Sequence, residues 1–173
     1  MIKNKIFPIL TIIVIIIVIV FLFISMSKTQ NMTVVQTDNL SKKPLKIVLG
    51  KFQDSDCGMV INEIDYASQV ISPSGKTWFF HDHGGMVNWI STKEFKDEAV
   101  IWVYSLDTKK WINGRTAFYS RDEKTPMLYG FGAYEHKTAR NNLIAYDEMF
   151  LHMVRGEHLG NQKMQHMIKK ESN

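Results

Sequence analysis

One cysteine, four prolines and ten glycines in 173 residues exclude several architectures at the outset. A single thiol rules out an internal disulfide framework, so the fold has to stand on a hydrophobic core. So little proline and glycine, with 45% hydrophobic and 22% charged residues, excludes a disordered or low-complexity chain. Basic runs are also missing. No more than two Lys or Arg stand together and 17 acids are scattered among the 21 basic residues, so the net charge of +4 is not a phosphate-tracking stripe, and no nucleic-acid partner is expected. No glycine-rich phosphate loop and no Ser-His-Asp set in a supporting context occurs, and Glu63 with Asp65 reads as a turn. The chain is not expected to be an enzyme.

What is present begins with an apolar run. Residues 6–24 carry no charge and are interrupted only by Pro8 and Thr11, which matches the roughly 20 residues needed to cross a bilayer core. Residues 1–27 are therefore expected to be an uncleaved transmembrane helix. A signal peptide would have a shorter apolar core followed by small residues, and no cysteine follows to carry a lipid. Lys3 and Lys5 precede the run and only Lys28 follows it closely, so the positive-inside rule puts the N-terminus in the cytoplasm. The expected localisation is a single-pass cytoplasmic (inner) membrane protein with its C-terminal domain in the periplasm. Residues 28–45, polar and without a sustained apolar period, read as a tether.

The remainder reads as α+β. Residues 59–61, 66–71 and 77–81 are short runs with β-branched and aromatic residues, and Ser72-Pro73-Ser74-Gly75 marks a hairpin between the last two. Met86, Trp89, Ile90 and Phe95 fit one helical face, and residues 99–106 return as a strand. A second strand pair is expected over 115–120 and 128–134, then a helix over 137–154, so that strands followed by a helix repeat weakly. The domain is placed at 46–155 and a polar C-terminal tail with one more short helix at 156–173.

The candidate chemistry is sulfur and imidazole. In Asp56-Cys57-Gly58-Met59, an extended backbone would put the thiol of Cys57 and the thioether of Met59 on one face. Thiolate with thioether selects a soft ion such as Cu(I) over ions that prefer oxygen, and Met is an uncommon zinc ligand. The plainer alternative is a buried Cys and Met that merely pack. Met86 and Met127 follow Gly85 and Pro126 at element edges, and His81 with His83 would also share a face if extended. Met149 and Met153, four apart in a helix, read as core. His158, Met164, His166 and Met167 form a candidate auxiliary copper-collecting tail.

Asp56-Cys57-Gly58-Met59, Ala67-Ser68-Gln69-Val70, Gly75-Lys76 and Phe79-Phe80 running into Gly85-Met86 and Trp89 together resemble the NosL family of nitrous-oxide reductase accessory proteins. Trp102-Val103, Trp111-Ile112, Ala117-Phe118-Tyr119, Thr125-Pro126-Met127, Gly130-Phe131 and Ala133-Tyr134 resemble its second half. The resemblance covers roughly residues 51–134. It implies a membrane-attached, exported domain of two related ββαβ-like halves that supplies Cu(I) for nitrous-oxide reductase maturation in denitrification. Cys57, Met59 and Met127 fall on the family's motifs and would be the soft ligands, with Met86 in reserve. Two departures stand out. Gly85 replaces a cysteine that many members carry, which makes His81 or His83 a more plausible further ligand, and the anchor is a helix rather than a lipid.

The expected function is thus a membrane-anchored periplasmic Cu(I) chaperone, with the reductase or its assembly machinery and the membrane as partners. A homodimer around a shared copper is compatible with the sequence. The alternative is an anchored interaction module of a respiratory assembly complex with no metal role.

Overall fold

The computed structural model describes residues 3–26 and 32–171, and the chain divides after Asn31 into two units. The first unit is helix α1 (Lys3–Met26), uncharged from Ile6 onward. Among the described residues no helix is long and apolar enough to cross a membrane. This corrects the expected transmembrane anchor, and the inner-membrane and periplasmic placement that depended on it falls as well.

The second unit is an α+β domain. Its elements run β1 (Val35–Gln36), β2 (Ser68–Ile71), β3 (Thr77–Phe80), α2 (His83–Ser91), β4 (Val100–Tyr104), β5 (Trp111–Asn113), β6 (Phe118–Tyr119), β7 (Ala133–Tyr134), a 3-10 turn at Lys137–Ala139, β8 (Ile144–Ala145), α3 (Tyr146–Val154) and α4 (Gln162–Glu171). One antiparallel sheet has the order β1-β3-β2-β4-β5 and the other β7-β6-β8. The hairpin expected at Ser72 to Gly75 closes β2 on β3, with Ser72 N donating to Lys76 O at 2.9 Å and Val70 opposite Trp78.

Alternation along the strands divides the core. Phe80 and Val70 turn toward α2, whose Met86, Val87 and Ile90 pack with Tyr119, Phe131, Tyr146 and Met149 from the second sheet and α3. Phe79 turns the other way, into a smaller cluster with Ile47, Phe52, Ile61 and Ala67. β2 is buried on both faces, so its polar Gln69 needs partners. It finds them in the backbone of Leu45, donating to the carbonyl and accepting from the amide, both at 2.8 Å.

That contact explains a difference from the sequence reading. Residues 28–31 of the expected tether lie outside the described residues, but from Met32 the segment belongs to the domain. β1 pairs with β3, Asn39 N donates to Gly75 O at 3.0 Å, and the Trp102 indole donates to Lys42 O at 2.8 Å. A polar segment that covers a sheet through its backbone carries no apolar period to betray it.

The two halves also differ. The first follows the expected order β2, β3, α2, β4, except that the strand expected at 59–61 is reduced to an isolated bridge between Val60 and Gln53, whereas in the second no helix separates the strands and α3 follows β8. The helix expected over 137–154 shrinks to α3 because Asn142 adopts a φ of 60° and Ile144 pairs with Tyr119 in β6. The short helix expected in the tail is α4.

Candidate metal centre

Helix α2 begins at His83 rather than at Met86 because Asp82 caps it. Asp82 is extended (φ −143°), fully buried, and accepts the Gly84 amide through Oδ1 at 2.9 Å. Its other oxygen accepts the Met127 amide at 2.9 Å, which fastens the Met127 loop to the start of the helix. The residue before it, His81, fastens a second loop. Adjacent residues at the junction of β3 and α2 therefore hold the two sulfur-bearing segments.

The second loop is organised by Asp54, which is 2% exposed. Its Oδ1 accepts the amides of Asp56 at 2.7 Å and Cys57 at 3.1 Å. Its Oδ2 accepts the His81 amide at 2.8 Å and the His81 ring Nδ1 at 2.5 Å. Asp54 N donates to Met59 O at 2.8 Å and Gly58 N to Asp54 O at 3.0 Å, closing residues 54–59 into a turn. Gly58 makes the reversal at φ +75°, a conformation other residues rarely adopt. Cys57 and Met59 are thus part of a turn, not of the extended segment on which their common face was expected. Ser55 N to Phe79 O at 2.9 Å staples the turn to β3.

The result is a compact donor set. Cys57 is free and exposed, and its Sγ lies 3.9 Å from His81 Nδ1. One ligand atom each of Asp54, Cys57 and His81 can be chosen so that all lie within 4.8 Å of one another. Met59 is exposed beside Cys57 in the turn, and Met127 is half-buried in the loop held by Asp82. The structure takes the other two candidates away. Met86 and His83 lie in the core, fully buried, because β3 ends at Phe80 and the helical turn that follows directs His83 inward instead of alongside His81. Neither ring nitrogen of His83 has a hydrogen-bond partner, and burial pushes its pKa down to about 3.

Electrostatics distinguish the members. Burial works to raise the Asp54 carboxyl, but the hydrogen bonds from His81, Asp56 and Cys57 outweigh it and hold its pKa below the ordinary value. Burial works to lower the His81 ring, but the hydrogen bond and charge of Asp54 outweigh it and hold its pKa above 6.5. Below the His81 pKa the two form an ion pair. Partial burial raises the Cys57 thiol against the pull of the Met59 amide, and the charges of Asp54 and Asp56 add to the rise. Asp56, also raised by burial, accepts from the Asn88 side chain on α2 at 3.1 Å.

Sequence reasoning missed Asp54 and Tyr129. An Asp three residues before Cys-Gly is the pattern of a turn whose carboxylate collects amides, so Asp54 had a local signal. Tyr129 had none, because its place depends on α2. Gly84 lets the Tyr129 ring lie so close that a Cβ there would stand 2.5 Å from three of its side-chain atoms. A cleft of 460 Å³ lined by Arg121, Asp122 and Arg140 among others shares no residue with the cluster.

The chain matches no known family model and no curated protein.

Proposed function

We propose that this protein is a Cu(I) carrier in which the Cys57 thiolate and the His81 imidazole grip the ion, with Met59 and Met127 as the neighbouring soft donors. The observation that carries the reading is the full engagement of Asp54. Both of its oxygens accept two hydrogen bonds each, so it serves as the orienting carboxylate of a metal-binding imidazole and leaves sulfur and nitrogen as the donors. That set suits a soft monovalent ion better than one that prefers oxygen. Nδ1, which faces Cys57, is held by Asp54, so the ion would take the lone pair that deprotonation frees at Nε2, and the exposed Cys57 thiol would have to turn from Nδ1 toward that nitrogen.

A Cys-His-Asp nucleophile is disfavoured on two grounds. In such a triad the two ring nitrogens serve different partners, whereas here Nδ1 faces both Asp54 and Cys57. The thiol is also raised rather than lowered. An exposed thiol instead suits ligand exchange, in which a client's donors approach before the carrier's leave. With the NosL resemblance, the client is nitrous-oxide reductase or its assembly machinery.

Anaerobic Cu(I) titration against a chromogenic chelator, with Zn(II) in parallel, tests this. Stoichiometric Cu(I) retention that Cys57→Ser abolishes and His81→Ala weakens is the expected result. Failure to compete for Cu(I), or a preference for Zn(II), would sink the carrier and favour the interaction module or a zinc site respectively.

A further inference from the structure

The C-terminal segment is fixed against the loop that carries Met127. Leu159 N donates to Tyr129 O at 3.3 Å, and the Gln165 side chain on α4 donates to Leu159 O at 2.8 Å. Two successive turns, Asn161 N to His158 O at 3.0 Å and Met164 N to Asn161 O at 2.9 Å, carry the chain from His158 into α4. The His158 ring stands edge-to-face on Tyr129, with centroids 4.8 Å apart. Tyr129 in turn packs on Gly84 at the start of α2, and its hydroxyl feels the charges of Asp56, Asp82, Cys57 and Asp54. Tyr129 therefore touches His158 on one side and, on the other, the start of α2 three residues past His81.

The His158 imidazole has no structural task among the described residues beyond that ring contact. Its Nδ1 is buried without a partner, turned toward Gly160, where a Cβ would stand 3.1 Å away. Burial lowers its pKa, so the ring is neutral at neutral pH and carries a lone pair. Met164, half-buried at the start of α4, brings a thioether to the same segment.

We propose that His158, with Met164, is a second soft-metal station beside the Cys57 and His81 centre, which holds Cu(I) on its way to or from that centre. The proposal rests on the copper reading of the centre. Imidazole and thioether without a thiolate bind Cu(I) more weakly than a thiolate set, as a way-station requires.

The test uses the full chain, anaerobic Cu(I) titrations against two chelators of different strength, and histidine-ring NMR with Ag(I) as the Cu(I) analogue. The expected result is a second, weaker equivalent that shifts the His158 ring signals. His158→Phe, which keeps a ring against Tyr129, should weaken that equivalent about tenfold or more and leave the first within about twofold. Met164→Leu should weaken the second by a smaller factor. Cys57→Ser should lose the first equivalent and keep the second. A single equivalent in the unmodified chain, or a second one indifferent to His158→Phe, overturns the station while the carrier stands. A first equivalent indifferent to Cys57→Ser sinks the Cys57 centre, and the His158→Phe result then still decides the station. No binding at all overturns both.

Discussion

Asp54 Oδ2 and His81 Nδ1 stand 2.5 Å apart, and through this pair one carboxylate orients the imidazole while its other oxygen holds the backbone of Cys57. The geometry of the thiol and the ring is therefore set by a carboxylate whose two oxygens each already accept two hydrogen bonds.

Asp54→Asn should weaken Cu(I) binding by about 10- to 100-fold with both donors still present, the effect of losing an orienting carboxylate. It should also destabilise the fold by about 1–3 kcal/mol, since a buried charge-assisted set is broken. Chelator competition and urea denaturation read the two effects separately. A stability loss with unchanged affinity would make Asp54 a purely structural residue.

The pH dependence follows from both donors being held above their ordinary values. Each must lose a proton to bind, so apparent Cu(I) affinity should rise about 100-fold per pH unit below the His81 pKa and about tenfold per unit between it and that of the thiol. His81→Ala should show about a tenfold rise throughout. The ion pair also sets a stability window. The lowered Asp54 contributes above its ordinary 3.8 and loses that contribution as pH falls through its folded value. The raised His81 contributes fully below 6.5 and loses it as pH rises through its folded value. Affinity that is flat with pH would refute the protonation scheme.

His83 carries an acid liability. Its folded pKa of about 3 lies far below the ordinary 6.5, so the unfolded chain takes up a proton that the folded one refuses. Stability should fall by about 1.4 kcal/mol per pH unit as pH drops from 6.5 toward 3, from this group alone. His83→Leu should flatten that slope and, by removing two unpartnered buried nitrogens, stabilise the protein by about 1–2 kcal/mol at pH 7. Denaturation of both proteins across this range is the measurement, and an unchanged slope would be the contrary result.

Gly84→Ala tests how the Met127 loop is held. The added methyl meets the Tyr129 side chain at 2.5 Å, in the loop that also carries Met127. A cost of about 1–3 kcal/mol is expected, together with weaker Cu(I) binding. Thermal unfolding alongside chelator competition checks it, and an undisturbed Tyr129 in the variant's crystal structure would remove the mechanism.

Much of the fold was legible because its signals are local. The Ser72 to Gly75 hairpin, the strands that flank it and the apolar face of α2 are written in turn chemistry and periodicity. Cys57 was legible as the chain's single thiol, and His81 as a candidate ligand beside His83, but not as the imidazole that Cys57 faces. His83 misled because a strand and a helix place residues two apart differently, and the change of element falls between Phe80 and His83. The tether misled because Leu45 and Lys42 act through backbone atoms, which composition does not record.

The sequence by itself determined the α+β class, the hairpin, the absence of any disulfide and the supply of soft donors, since each depends on residue type and near neighbours. Only the tertiary structure decided that Asp54 joins Cys57 to His81, that Asp82 draws in Met127, that Met86 and His83 go to the core, and that the C-terminal segment packs on Tyr129. The two loop attachments depend on contacts between residues 24 to 45 apart, formed only once β3 and α2 have brought the loops together, and the burial of Met86 and His83 depends on the helix that begins at His83.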